Sequence, residues 1–241
     1  PHATAADGTR IAYELCGRED GEPLVLIQGL GADRRGWLMQ RGALGEHYRL
    51  LLVDNRGVGE SERPPAPYDL NQMAEDVLAV MDEVGWGSAH VMGASMGGVI
   101  AQILGVLHGD RVRSLVLTCT ACRHEPWRRE LLATWKATAL ESGMRTFAER
   151  NAKWLVGPRS VRRFWPVLNL FGGLALNAEP EAFAAQVDAI LQADETLRHA
   201  LSGVTAPTLV IVGSQDVLTP MADAEEVAEA IPGALLAVVR G

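Results

Sequence analysis

Short apolar runs alternate along this chain with longer stretches in which apolar positions recur at helical spacing. Leu24–Ile27, Leu50–Val53, Val91–Met92, Leu115–Leu117, Leu209–Val212 and Leu235–Val239 predict strands, several of them apolar on both faces. Such runs belong to a parallel sheet covered on both sides, because a sheet with one wet face alternates polar and apolar residues. Ile11–Leu15 predicts a leading strand, antiparallel and at the sheet edge. Met73, Val77, Val80, Met81 and Val84 fall on one helical face behind Asp69-x-x-Gln72, an entry of capping-box type. The βαβα order makes the fold class α/β, with a mostly parallel sheet between helices.

The rhythm breaks after Cys122. Trp127–Ser142, Thr146–Val156 and Glu181–Ala193 predict consecutive helices with no strand between them, and Pro180 suits a first helical turn. Residues 1–122 and 205–241 therefore read as the α/β core, and residues 123–204 as a helical cap over the carboxyl edge of the sheet, where open α/β sheets bind ligands. Four of the six tryptophans, Trp127, Trp135, Trp154 and Trp165, fall in the cap. They either line an apolar ceiling over a substrate or pack the cap onto the sheet.

Composition narrows the partners. With 241 residues, 48% hydrophobic and 22% charged, the chain can bury a sizeable core. A net charge of -8 argues against nucleic acid and anionic membrane surfaces, which demand clustered Lys and Arg. No run reaches the length of a membrane span, and Pro1-His2-Ala3-Thr4 lacks the features of a secretory signal, so the expected location is cytoplasmic. The three cysteines do not form a disulfide framework. Cys119 and Cys122 form a C-x-x-C without a second ligand pair, which predicts buried free thiols and no zinc.

Candidate chemistry centres on Gly93-Ala94-Ser95-Met96-Gly97, set between a strand-like run and the helical positions Ile100, Ile103, Leu104 and Leu107. A G-x-S-x-G turn in that context is tight, needs residues without bulk beside the serine, and thrusts the hydroxyl into the open. Ser95 is the candidate nucleophile. The following helix aims its N-terminus at the reacting centre, and the Met96 N–H is placed to stabilise an oxyanion. The competing interpretation of these five residues is an ordinary Gly-rich helix entry.

Four segments in order, each at a strand end, carry a resemblance: Gln28-Gly29-Leu30-Gly31, Asp54-Asn55-Arg56-Gly57-Val58-Gly59-Glu60-Ser61, Gly93 to Gly97, and Gly213-Ser214-Gln215-Asp216. Together they resemble the α/β-hydrolase superfamily over essentially the whole chain, with the helical insertion at the cap position after the sixth strand. Within it the chain is most similar to small bacterial esterases and lactonases, including 3-oxoadipate enol-lactonase-like proteins. The resemblance implies a second oxyanion donor at the Leu30 N–H, a triad acid at Asp216, a small ester or lactone as substrate, and no metal or cofactor. Family members carry His-Gly where this chain has Gln28-Gly29, which alters hydrogen bonding inside that turn. Asp216 has the alternative of being a plain turn aspartate. Asp54 precedes the serine on the wrong loop for an acid, and Arg56 is expected to anchor that loop on nearby carbonyls.

The triad histidine that the resemblance implies follows the last strand, which from Asp216 falls past Gly241. The expectation is that a further C-terminal segment supplies it together with a closing helix. Of the histidines present, His2, His47, His90, His108 and His199 are placed away from Ser95, and only His124, at the cap entry, lies near it. The implied activity is acyl transfer through Ser95. Perhydrolysis of haloperoxidase type and carbon–carbon hydrolysis would use the same apparatus, and a ligand-binding protein without turnover is the alternative from another class.

Overall fold

The alternation of Leu24 and Leu26 with Val25 and Ile27 decides which side of the sheet each side chain serves. Strand β3 (Glu22–Ile27) pairs in parallel with β4 (Tyr48–Val53), placing Leu24 opposite Leu50 and Ile27 opposite Val53. Leu24, Leu26, Leu50 and Leu52 gather with Trp37 on one face, whereas Val25, Ile27, Leu51 and Val53 join a larger core on the other. Both faces are dry, as strands apolar on both sides require.

The computed structural model describes residues 1–155, 178–193 and 196–240. The remaining strands are β1 (His2–Thr4), β2 (Arg10–Gly17), β5 (Ala89–Ala94), β6 (Val112–Thr118), β7 (Thr208–Gly213) and β8 (Leu235–Val239). They form one eight-stranded sheet in the order β1-β2-β4-β3-β5-β6-β7-β8. All pairings from β4 to β8 are parallel, and β2 is antiparallel to both β1 and β4. The leading strand is therefore antiparallel as expected but not at the edge, because the short β1 lies outside it. His-Ala-Thr is too short to show a period, and only Ala3 faces the core.

Helices α1 (Leu38–Gly45), α2 (Leu70–Glu83) and α3 (Met96–Leu107) connect the first strands. Asp69 caps α2 by accepting from the Asn71 and Gln72 N–H groups at 2.7 and 3.1 Å. After β6 comes α4 (Pro126–Leu155), interrupted at Gly143, whose φ of 78° and ψ of 165° are not helical. The two helices expected on either side of that point thus meet at the one residue type that adopts such a conformation without strain. Helix α5 (Pro180–Gln192) starts with its proline in the first turn, α6 (Thr196–Ala200) is short, and α7 (Met221–Ala230) links β7 to β8. Phe147 of α4 packs on Phe183 of α5 with ring centroids 4.7 Å apart, and on Trp135 across the break within α4 at 5.4 Å. No described helix is long and apolar enough to cross a membrane. At the free edge of the sheet, Leu235, Val238 and Val239 of β8 are exposed.

The loop after β4 is held by charge. Arg56, 4% exposed, donates to both carboxylate oxygens of Asp76 on α2 at 2.7 Å each and to Asp7 at 2.9 Å. Its anchors are carboxylates, where backbone carbonyls were expected. A buried guanidinium needs a countercharge, and a carboxylate of α2 supplies it in a bidentate fit. Replacing Arg56 with Leu leaves the Asp76 carboxylate buried and unpaired, which should lower unfolding free energy by about 3–5 kcal/mol. Urea denaturation measures this, and a loss below about 1 kcal/mol would mean that the pair is no better than an exposed one.

Candidate functional site

Ser95 joins β5 to α3 at φ 53° and ψ −118°, a conformation that strains any residue with a side chain. Its backbone is held on both sides. The Ser95 N–H donates to Thr118 O at 2.9 Å, and Ser95 O accepts from Gly98 N at 2.8 Å and from the Thr120 hydroxyl at 2.8 Å. The glycines of the motif answer to close approach: a Cβ on Gly93 would sit 2.1 Å from Gly97 O, and one on Gly97 would sit 2.3 Å from Ile27 O. Among the described residues the Ser95 hydroxyl makes no hydrogen bond, and the residue is partly exposed.

The turn after β3 passes over the serine. A Cβ on Gly29 would lie 3.1 Å from Ser95 Cβ and 3.6 Å from its Oγ. Within this turn the Gly29 N–H donates to Gln28 Oε1 at 3.3 Å and the Gly31 N–H to Gln186 Oε1 at 2.9 Å. Asn55 Nδ2 donates to Gln28 O at 2.9 Å. The Gln28 side chain lies against Gly36, where a Cβ would come within 2.6 Å of its amide nitrogen. Among the described residues, the Leu30 N–H donates to no protein acceptor. Met96 opens α3, so its N–H is one of those a helix leaves without an internal acceptor. The end of β3 and the start of α3 thus bring two spare donors to the neighbourhood of one hydroxyl.

Asp216 sits in the loop after β7. Its carboxylate accepts from the Leu218 and Thr219 N–H groups at 3.0 and 2.9 Å and from the Thr219 hydroxyl at 2.9 Å. Three donors fix its orientation. The neighbouring thiol of Cys119, at the end of β6, is pushed up to about 11 by burial and by the Asp216 carboxylate. Ser95, Cys119 and Asp216 therefore follow three strands that are adjacent in the sheet, β5, β6 and β7. All three cysteines are free; Cys122 is buried, with its thiol pushed up to about 12 by burial and Glu226, while Cys16 and Cys119 are half-buried. Among the described residues, no three His, Cys, Asp or Glu side chains form a metal-binding group.

Arg128, at the start of α4, ties the helical layer to the Asp216 loop. Its side chain is 3% exposed, pairs with Asp223, and donates to Leu218 O at 2.9 Å and Arg123 O at 3.1 Å. Trp127 stacks on Trp154 at 6.4 Å, with the Arg128 guanidinium 5.1 Å from the Trp127 ring centre. Trp135 is buried among Phe147 and its neighbours, so it packs the helical layer. Trp165 lies outside the described residues.

Asp54 is fully buried and held by Arg34, by the Arg34 N–H at 2.8 Å and by the Glu60 N–H at 3.0 Å. Its partners join the short 3-10 turn that begins at Arg34 to the loop after β4. The His90 ring lies between Ser114 Oγ and Glu22, each at 2.7 Å, at the start of β5 and so at the opposite end of that strand from Ser95. His108 caps the far end of α3, 2.8 Å from Glu75, while His2 contacts Glu60 O at 3.1 Å. His47 precedes β4, and His199 belongs to α6. His124 lies between β6 and α4. Its Nδ1 is buried without a partner among the described residues, and burial together with Arg128 and Arg129 pulls the ring down to about 4.

Sequence reasoning missed Gln186, Thr120 and Arg128. For Gln186 a signal existed, since it is a lone amide in the otherwise apolar run from Ala182 to Val187. Nothing in the local sequence distinguishes Arg128 from its exposed neighbour Arg129.

Comparison with known proteins agrees with this fold. The model of the α/β-hydrolase fold family matches residues 22–241. The crystal structure of an enol-lactonase from Burkholderia xenovorans LB400 superposes with a TM-score of 0.92 at 32% identity, covering 99% of this chain and 91% of that one. A thermophilic esterase from Thermogutta terrifontis gives 0.90 at 28% identity, over 100% of this chain and 89% of that one. A candidate carbamate hydrolase, RutD, of Azorhizobium caulinodans is 30% identical over 99% of this chain and 89% of its own length. The chain belongs to the α/β-hydrolase fold family.

Proposed function

We propose that this protein is a serine hydrolase that cleaves a small carboxylic ester or lactone through an acyl-enzyme on Ser95. The observation that carries it is the strained Ser95, whose hydroxyl has no partner among the described residues, beneath a turn whose Leu30 N–H likewise has none among them. Ser95 Oγ attacks the carbonyl carbon and loses its proton to an imidazole; the carbonyl oxygen takes the negative charge and is held by the Leu30 and Met96 N–H groups. Collapse of that adduct expels the alcohol, protonated by the imidazolium. Water then repeats the attack on the acyl-enzyme and frees the acid. Asp216, fixed by its three donors, holds the imidazole in the required tautomer. The described helices between β6 and β7 act as a cap over this centre, with α5 seated on the loops beneath.

The base in this mechanism is an imidazole docked on Asp216, supplied by none of His2, His90 or His108, whose partners hold them elsewhere. His124 is the alternative, and its environment argues against it: a ring held at about 4 is a weak proton acceptor at neutral pH. The names of the relatives span lactone, ester and carbamate, all of which expose a carbonyl to the same attack, so each belongs in a substrate panel.

In the full chain, Ser95→Ala should abolish turnover of p-nitrophenyl acetate, lowering kcat on the order of 10⁶-fold while leaving thermal stability near that of the parent. Retained turnover would remove Ser95 from the mechanism. Asp216→Asn should lower kcat on the order of 10⁴-fold with little change in KM, because the carboxylate acts on the imidazole and not on bound substrate. A change confined to KM would place Asp216 in substrate binding instead.

His124→Gln should leave kcat intact and change only the pH dependence of stability. The folded ring binds its proton near pH 4, whereas an unfolded histidine binds it near about 6.5. Between those values the unfolded chain holds more protons, so this group takes stability away as pH falls. The variant should therefore lose less Tm than the parent between about pH 6.5 and 4. Equal losses would show that the ring is not held neutral, and a lost kcat would restore His124 as the base.

A further inference from the structure

Leu30 has a glycine on each side, so the segment that carries its N–H runs between two residues of unusual backbone freedom. One side is restrained locally: Gly29 packs on the Ser95 side chain and the Ala94 carbonyl, and its own carbonyl accepts from the Ala32 N–H at 3.2 Å. The other side is held from a distance. Gly31, at φ 69°, donates its N–H to Gln186 Oε1 at 2.9 Å. Gln186 is fully buried on α5, and its Nε2 donates to Arg56 O at 2.9 Å. One amide thus satisfies a donor in the turn over Ser95 and an acceptor in the loop after β4, where a side chain with one function would leave a buried polar atom unpaired.

The rest of α5's first half is seated on the same loop. Ala178, just before the helix, bridges to Val58, and the Ala182 methyl lies where a Cβ on Gly57 would come within 3.1 Å of it. Arg56 itself is pinned by Asp76 and Asp7. Gln186 therefore reaches the turn from a support that is fixed at several points.

We propose that Gln186 is a positioning residue for the Leu30 N–H, so that the seat of helix α5 sets the geometry of the oxyanion site. This rests on the acyl-transfer reading above. Without the Gln186 bond the Gly31 end of the turn loses its anchor, the long 3.2 Å Ala32–Gly29 bond is left to hold the Leu30 peptide, and the Leu30 N–H shifts from the direction in which charge develops. The loss then appears in the transition state and not in substrate binding.

The test uses the full chain, p-nitrophenyl acetate as substrate and phenylboronic acid as a probe that forms a tetrahedral adduct on Ser95. Gln186→Met keeps length and volume but loses both hydrogen bonds; it should lower kcat about ten- to a hundredfold, leave KM nearly unchanged, and weaken the boronate in parallel. Gln186→Glu supplies a second measurement that does not depend on the Met variant folding. Burial raises its carboxyl pKa, and the neutral acid keeps both bonds, accepting from Gly31 and donating to Arg56 O. Its kcat relative to the parent should therefore be near unity at low pH and fall as pH rises and the carboxyl ionises. Parental kcat and boronate affinity in a folded Gln186→Met, or a flat Gln186→Glu ratio across pH, would overturn the proposal. Ser95→Ala, run alongside, separates the two levels. Turnover surviving in Ser95→Ala sinks the acyl-transfer reading and this proposal with it, whereas a dead Ser95→Ala beside an unaffected Gln186→Met sinks the role of Gln186 alone.

Discussion

Three backbones meet beneath Ser95, and the carboxyl edge of the sheet is arranged around that contact. The end of β3, the elbow after β5 and the first turn of α3 approach so closely that neither Gly93 nor Gly97 has room for a methyl group. This crowding is what keeps Ser95 at positive φ, a conformation that costs about 1–3 kcal/mol and persists only where its surroundings over-determine it. The bonds from Ser95 to Thr118, Gly98 and Thr120 do so here, tying the elbow to β6 as well as to its own helix. Because the same contact brings the β3 turn over the hydroxyl, the Ser95 hydroxyl and the N–H groups of the β3 turn and the α3 start come as one geometric unit.

The loops around that unit are fixed by buried polar groups and not by apolar packing alone. Asp54, Arg56 and Gln186 are each almost fully buried, and each has more than one partner. Their partners cross between the β3 turn, the loop after β4, helix α2 and helix α5. Buried polar groups are demanding because a missing partner costs more than a made bond returns, so such a network admits few arrangements. On the opposite side of the site, Arg128 anchors the Asp216 loop: like Arg56 it is a guanidinium withdrawn from water and paired with a carboxylate, and unlike Arg56 it also donates to the loop's own carbonyl.

Much of this was legible in the sequence wherever period or backbone geometry left a mark. Runs apolar on both faces gave the strands from β3 to β8, and the glycines around Ser95 marked close approach before any coordinate was known. The helix break at Gly143 fell where the apolar spacing was interrupted. The short strand β1 left no such mark, since three residues carry no period and their partner lies in a hairpin with β2. Partner choice was also hidden. Arg56 was expected on carbonyls and is held by Asp76 and Asp7, 20 and 49 positions away in the chain, because side-chain pairing at that distance follows from the packed fold and not from local sequence. Gln186 was overlooked for the same reason, although an amide inside an apolar helix is itself a sign of a buried partner.

Electrostatics then separates two side chains that the backbone treats alike. Ser95 and Cys119 are the non-glycine residues at positive φ among those described, and they follow neighbouring strands. A thiol attacks as its thiolate, and the surroundings of Cys119 work against that form: burial and the Asp216 carboxylate hold its proton on, up to about 11. No helix begins directly after it, for α4 starts only at Pro126. Ser95 instead precedes the first residue of a twelve-residue helix, where the field of the N-terminus and the free N–H groups favour negative charge on an adjacent oxygen. The same carboxylate that keeps the thiol inert suits the neighbourhood of an imidazole that becomes charged. In the proposed acyl transfer Asp216 therefore separates the two positions by sign, opposing an anion at Cys119 and favouring the cation that would form when Ser95 gives up its proton.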